Sequence, residues 1–514
     1  MKTKKLLKSL LFIAGILFLF AACNDDDDDD TEKNAITSYN TPKYVFYFIG
    51  DGVSSPQINV TEAALNSDQF KLKSTSKSKS VGIGKLNIRE FPVTGMQTTH
   101  AEDRYITGSA ASATALATGY KTTINTISMD GNHAKNYKTM AEMAKEKGMK
   151  VGIVSSVSID HATPACFYAH TETRNNYYTI GQQLTQSEFD YFGGGGVRWN
   201  KYDGEGKTED IKHFTDAAAE AGYKYVNTKS EFDALTPASG KVIATLEKFE
   251  SSVSTTSAAL PYTLDLDEQT SDNDKILLSE FTTKGIELLD NDDEGFFLMV
   301  EGGKIDWACH ANDVVTSAHN TVEFDNAIGV ALEFYKEHPD ETMIVVTGDH
   351  ECGGLTLGFA ATAYESAFDL LNHQSVSYES FTGTVMGWAA AGNMTFENAL
   401  AEVKSVFGLG DASKGLELSD YEKGLLEDAF NRSMSGESAH QEEELAVIYG
   451  YYDPFTVTIT HILNNKAGID WTSYSHTGVP VPVFAIGQGQ YEFSGYYDNT
   501  EVAEKIIEIA KLDQ

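Results

Sequence analysis

The chain has 514 residues, 75 of them acidic and 39 basic, so its formal net charge is −36. With 41% hydrophobic and 11% aromatic residues it can fill a large core, which excludes a wholly disordered chain, and 10 prolines without a repeat exclude a collagen-like one. The acidity argues against nucleic acid or an anionic membrane surface as partner, because both select clustered Lys and Arg.

The first 22 residues carry Lys2, Lys4, Lys5 and Lys8, then an apolar run from Leu10 to Ala22. A basic region followed by so short an apolar run reads as a secretory signal peptide rather than a membrane span. Phe20-Ala21-Ala22-Cys23 resembles a bacterial lipobox. The resemblance implies cleavage before Cys23 and a lipid anchor on that residue, where each buried CH₂ contributes ~0.8 kcal/mol to membrane binding. An exported lipoprotein of this kind is held at the outer membrane, on its periplasmic side or at the cell surface. Asp25 to Asp30 follow directly. Six adjacent carboxylates repel one another and stay solvated, so residues 23–40 read as an acidic tether. The run also resembles the surface-export signals of Bacteroidetes lipoproteins.

At about 150 residues per domain the length suggests roughly three domains. One large α/β domain over 41–514 fits equally well. Tyr44–Ile49 is a continuous apolar run closed by Gly50-Asp51-Gly52. Residues 107–119 (TGSAASATALATG) are small throughout and closed by Gly119, which suggests a tightly packed helix with Ser109 at its N-terminus. Free backbone N–H groups there favour an anion, and metal coordination can activate a serine hydroxyl without a neighbouring imidazole. A plain packing helix is the other reading.

A helical stretch near Tyr137–Lys147 stops at Gly148 and leads into the strand-like Lys150–Ser155. Phe192 to Gly196 (FGGGG) lacks the Lys-Ser/Thr of a phosphate-binding nucleotide loop. Phe296–Val300 ends at Glu301, and Asp306 and His310 follow at a spacing that puts both on one helix face. Met343–Thr347 ends at Gly348-Asp349-His350. Residues 355–460 change to helical runs, among them Phe396–Phe407 and Tyr421–Phe430, and read as an insertion or cap. His476 precedes the run Val481–Ile486, and a last helix over Glu501–Lys511 starts near Asp498-Asn499. Continuous apolar strands alternating with helices indicate an α/β fold with a parallel sheet covered on both faces. Sites in such sheets lie beyond the carboxyl ends of the strands, which collects Asp51, Glu301, Asp349 and His350 on one edge. Carboxylate and imidazole together suit Zn²⁺.

SAASATALATG, IGDG, HATPACFYAHTETR, VEGGKIDWACH, TGDHECGG and HTG, in this order, resemble the metal-dependent alkaline phosphatases. The resemblance runs from about Tyr44 to the C-terminus and is weakest across the insertion. It implies a three-layer sandwich around a mostly parallel sheet, and hydrolysis of phosphate monoesters through a phosphoserine. By the same resemblance, Ser109 is the nucleophile. Asp51, Asp349 and His350 hold one Zn²⁺. Asp306, His310 and His476 hold a second. Asp51, Thr163 and Glu301 hold Mg²⁺, and Arg174 grips the phosphoryl group. A guanidinium matches two phosphoryl oxygens bidentately; a surface salt bridge is the plainer reading of Arg174. Relatives of this kind are commonly homodimers, and no feature of the sequence specifies an interface.

Three positions depart from the pattern. Gly108 stands where many members carry an Asp that orients the Arg. His161 and Trp307 stand where some carry Asp and Lys near the third metal and the phosphate. His161 is thus either a neighbour of the third metal or one of its ligands, and a cation is missing at position 307. Cys166, Cys309 and Cys352 make no complete disulfide set and are expected as buried thiols. Two other functions fit the same residues less fully: a phosphodiesterase with the same metals, and a surface binding lipoprotein without activity.

Overall fold

Runs of aromatic and β-branched residues without polar interruption form strands that can be buried on both faces. The computed structural model describes residues 39–64, 85–199, 213–246, 258–267, 270–290, 293–435 and 443–514. The leader, Cys23 and the Asp25–Asp30 run lie outside the described residues. In chain order the strands are β1 (Tyr44–Gly50), β2 (Val93–Thr98), β3 (Lys150–Ser155), β4 (Tyr191–Gly194), β5 (Lys224–Val226) and β6 (Val242–Ala244). They continue with β7 (Phe296–Glu301), β8 (Thr342–Gly348), β9 (Glu351–Cys352), β10 (His476–Thr477), β11 (Val481–Gly487) and β12 (Gly495–Asp498). β9 and β10 form a two-stranded ribbon, and the other ten strands form one sheet in the order β12-β2-β11-β8-β1-β7-β3-β4-β6-β5.

The sheet is parallel except at β11, which runs antiparallel to β8 and β2. The apolar run at 481–486 is therefore a strand, as expected, but of the opposite direction. That reversal matters for the site. A residue that precedes β11 reaches the same edge as residues that follow β1, β7 and β8. The register shows it: Val483, early in β11, pairs with Thr347, late in β8.

Tyr44, Phe46, Phe48, Phe296, Leu298 and Ile344 from the sheet centre are buried together with Phe324 and Ile328 of the long helix Val314–Glu337. Each such side chain contributes about 1.5–3 kcal/mol by leaving water. Helix ends follow local chemistry. Thr139 caps Met140–Glu146 through a reciprocal bond with Glu142, and Asp498 does the same with Glu501 for Asn499–Ile509. Gly194 shows why the FGGGG stretch needs glycine. Its φ is +134°, and a Cβ there would lie 1.8 Å from the Ser155 carbonyl oxygen.

Between β9 and β10 lie the helices Tyr378–Ala391, Phe396–Phe407, Asp420–Ser435, Glu443–Tyr449 and Pro454–Ala467. They share an aromatic core in which Phe381 meets Phe407 edge-on at 5.0 Å and Phe430 meets Phe455 at 5.4 Å. They also grip the main layer beside the site. The Asp313 carboxylate accepts from the Gln374 amide and the Tyr378 N–H, each at 2.9 Å, and Asn464 donates to the Asn312 carbonyl at 2.8 Å. No helix among the described residues is long and apolar enough to cross a membrane.

Candidate active site

Ser109 is the first residue of the helix Ser109–Thr118, every residue of which is buried. Ala, Ser and Thr let this helix pack closely, and Gly119, at φ +78°, closes it. Ser112 Oγ donates to the Asp349 carbonyl at 2.6 Å, which ties the helix to the end of β8. Ser109 Oγ lies 3.4 Å from Asp51 Oδ1 and 3.4 Å from His350 Nε2. Asp51 follows β1, Glu301 ends β7, and Asp349 and His350 follow β8, so these residues meet at one sheet edge as the strand rule requires.

His350 Nε2 lies 3.3 Å from Asp51 Oδ1 and 3.2 Å from Asp349 Oδ2. Asp349 Oδ1 accepts from the N–H groups of Gly52 at 3.1 Å and His350 at 2.9 Å. Next to this group, Asp306 faces His310 Nε2 at 3.3 Å and His476 Nε2 at 3.5 Å. Asp306 and His310 come from the helix Lys304–His310, and His476 arrives on β10.

Backbone carbonyls hold the outer nitrogens of the two imidazoles. His310 Nδ1 meets the Tyr474 carbonyl at 2.5 Å, and His476 Nδ1 meets the Thr107 carbonyl at 2.9 Å. A carbonyl only accepts, so each Nδ1 carries a proton and Nε2 is the atom left to face the site; burial opposes a charge on His310, but Asp306 outweighs it and raises His310 to about 9. Those two Nε2 atoms face each other at 3.1 Å.

The buried oxygens around them are unsatisfied. Asp51 Oδ2, Thr163 Oγ1, Glu301 Oε1, Asp306 Oδ1 and Asp349 Oδ2 make no hydrogen bond among the described residues. Metal-ligand atoms gather as Asp51, Asp306 and His350, as Asp306, His310, His476 and Cys352, and as Asp51, His161 and Glu301, each set within 4.8 Å. The donor types and orphaned atoms fit divalent cations. Without cations the charges are poorly tolerated. Burial, then Asp306, pushes Asp51 up to about 7; burial, then Asp51, pushes Glu301 up to about 8. Burial, then Asp51, also raises Asp349 well above the carboxylate range. Burial opposes ionisation of Asp306 as well, but His310 and His476 outweigh it and hold it well below that range.

Arg174 reaches the site from the loop after the helix Ala162–Ala165, and its Nη2 donates to His161 Nε2 at 3.0 Å. Burial, then the cations of Arg174 and Arg198, hold His161 well below its ordinary value, so it is a neutral acceptor. The Trp307 ring lies 5.8 Å from the His161 ring. On the same helix as Trp307, Lys304 Nζ stands 5.1 Å from the Trp307 ring and 3.5 Å from the Tyr262 ring, and pairs with Glu379 at 3.0 Å.

Three contributors went unread in the sequence. Ser155, at the end of β3, donates to Glu301 Oε2; its place at a strand end was the available signal. Lys304 is one helical turn before Trp307. Glu351 is buried and accepts from Gln57, Gly354, Leu355 and Thr477, which fixes the β9–β10 ribbon that carries His476. The three described cysteines are free and buried, as expected. The Cys352 thiol donates to the Asp306 carbonyl at 3.7 Å, and burial keeps it protonated well above the usual thiol range.

Two imidazoles whose Nε2 atoms converge on Asp306, among buried carboxylate oxygens with nothing to bond, are what a protein builds around cations. With a buried serine in the same wall, the class is a metal-binding hydrolase on an α/β sheet. Comparison with known proteins carries this to a family. The family model for alkaline phosphatase matches residues 42–512, and the chain belongs to the alkaline phosphatase family. It is a phosphatase. Alkaline phosphatase 4 of Bacillus subtilis is 30% identical over 91% of this chain and 88% of its own length. The cold-active alkaline phosphatase of a psychrophilic Shewanella is 27% identical, with a TM-score of 0.70 over 91% of this chain and 99% of its own. A mutant TAB5 alkaline phosphatase described with Mg bound in its M3 site is 26% identical, with a TM-score of 0.60 over 93% and 100% of the two chains.

Proposed function

We propose that this protein hydrolyses phosphate monoesters through a phosphoserine on Ser109. The cations would be Zn²⁺ at Asp51, Asp349 and His350, Zn²⁺ at Asp306, His310 and His476, and Mg²⁺ at Asp51, Thr163 and Glu301. The observation that carries this reading is the set of buried oxygens without a partner, on Asp51, Thr163, Glu301, Asp306 and Asp349, beside the converging Nε2 atoms of His310 and His476. When bound, the cations neutralise phosphoryl charge and make serine and water oxygens better nucleophiles.

The chain's own residues supply position. Asp51 Oδ1 accepts the Ser109 hydroxyl and holds Oγ toward the phosphorus. Arg174 grips two phosphoryl oxygens, with His161 orienting its guanidinium. Ser109 Oγ forms the new P–O bond as the alcohol departs in line, and water then cleaves the serine ester. Ser109→Ala tests this: acid-quenched protein should hold no phosphoserine while its metal content stays near that of the parent. Labelled phosphate retained on the variant would overturn the reading. Faster turnover of aryl phosphate diesters than monoesters would favour the diesterase alternative.

The N-terminal residues add a location. Export and lipidation at Cys23 would hold the enzyme at the outer membrane, facing the periplasm or the exterior. Labelling with a radioactive fatty acid, lost in Cys23→Ser, tests it.

A further inference from the structure

Lys304 opens the helix that carries Asp306 and His310, yet its side chain reaches toward the helices between β9 and β10. It is 3% exposed, and its Nζ pairs with Glu379, the second residue of the helix Tyr378–Ala391, at 3.0 Å. The start of that helix is fixed to the main layer from several sides. Asp265 accepts from the Ser377 N–H at 2.7 Å, Ser377 Oγ at 2.6 Å and Ser380 Oγ at 2.8 Å, and the Tyr262 hydroxyl donates to that of Tyr378 at 3.1 Å. Glu379 therefore presents its carboxylate from a firm base.

On its other side the Lys304 ammonium lies 3.5 Å from the centroid of the Tyr262 ring and 5.1 Å from that of Trp307. Both distances are within the range of cation–π attraction, which burial strengthens. The Trp307 ring meets the His161 ring edge-on at 5.8 Å and 70°. His161 Nε2 accepts from Arg174 Nη2 at 3.0 Å, while its buried Nδ1 makes no hydrogen bond among the described residues. Hydrogen bonding thus holds the imidazole at one atom. The plane of the ring is left to packing, and Trp307 supplies an edge contact there.

Glu379, Lys304, Trp307, His161 and Arg174 form one unbroken series of contacts. We propose that Lys304 is a positioning residue for the phosphoryl group: paired with Glu379, it holds Trp307 against His161, and His161 aims Arg174. The helices between β9 and β10 thereby set how tightly the site holds an anion. The inference rests on the phosphomonoesterase reading above, in which Arg174 grips the phosphoryl oxygens.

Positioning and through-space charge predict opposite signs at Glu379. Removing its negative charge makes the surroundings more favourable to an anion, whereas removing the partner of Lys304 frees the ammonium and loosens the series. The test measures the dissociation constant of inorganic phosphate by calorimetry in the full-length, metal-loaded enzyme. Metal content and hydrolysis of an aryl phosphate monoester are followed in parallel. Phosphate should bind at least threefold more weakly in Lys304→Met and at least twofold more weakly in Glu379→Gln, with metal content unchanged. In a His161→Ala background neither substitution should weaken binding further, because the series is already cut. Tighter or unchanged binding in Glu379→Gln overturns the positioning role. So does a loss that is equal with and without His161, or a loss of metal in either variant. Should Lys304→Met fail to fold, Glu379→Gln carries the test alone, since its carboxylate is 38% exposed. A parent enzyme that neither hydrolyses the ester nor binds phosphate overturns the phosphomonoesterase reading and the positioning role with it.

Discussion

Arg174 Nη2 donates to His161 Nε2 at 3.0 Å, so a neutral ring and not a carboxylate holds this guanidinium. A neutral imidazole orients a guanidinium without neutralising it, so in the proposed mechanism Arg174 would meet the phosphoryl group with its full positive charge. A hydrogen bond of this kind contributes about 1 kcal/mol. His161→Ala should weaken inhibition by inorganic phosphate roughly fivefold, read from its inhibition constant. Because His161 stays neutral, that constant should show no inflection from it between pH 6 and 9.

Gly108 leaves room for a second partner. A Cβ there would meet only Ile124 Cδ1, at 3.8 Å, and φ is −117°, which any residue adopts. Gly108→Asp should fold normally, gain a few tenths of a kcal/mol as a helix cap, and tighten phosphate inhibition. Unaltered inhibition with normal melting would show that Arg174 is already fully positioned.

Metal removal should leave a site whose stability depends on pH in a defined direction. Asp51 near 7 and Glu301 near 8 have folded pKa values raised above an unfolded value of about 4. Raised carboxyls contribute fully below about pH 4 and lose that contribution as pH rises through 7 to 8. Cations bind the ionised form and cancel the loss. The melting-temperature gap between metal-loaded and chelated protein should therefore widen from pH 5 to pH 8. A gap that narrows contradicts the assignment.

Gly194→Ala should be far costlier than Gly240→Ala. Both have positive φ, but a Cβ at 194 strikes the Ser155 carbonyl while one at 240 meets nothing within 4 Å. We expect a loss of more than about 4 kcal/mol at 194 and of about 1–2 kcal/mol at 240, read from denaturation midpoints. Since Ser155 donates to Glu301, the first variant should also lose metal at the third group.

Lys304→Met should cost about 1–2 kcal/mol. Its ammonium is buried between two rings, but the partner carboxylate of Glu379 is 38% exposed and regains water when left alone. The same variant should loosen the helix Tyr378–Ala391, seen as faster amide exchange there.

The sheet centre was legible because β1, β3, β7 and β8 are unbroken apolar runs buried on both faces. The strands β2 and β12 lie toward an edge. Alternate residues of β2 and most of β12 reach the surface, so neither has a continuous apolar signal. Asp51, Glu301, Asp349 and His350 could be found by strand-end logic. His476 could not, because it precedes its strand and only the antiparallel direction of β11 delivers it. Ser155, Lys304 and Glu351 act through other residues, and their partners are distant in sequence. Nothing local marks such a residue.

The reversed strand also sets an order of events in biogenesis. His476 meets His310 across 166 residues and Thr107 across 369. A nascent or truncated chain lacking the last strands has half of the paired imidazoles and no partner for the other half. Its cation affinity should stay weak until the C-terminus is in place, so cofactor loading is a late step in maturation, and an immature enzyme is inert while still being made.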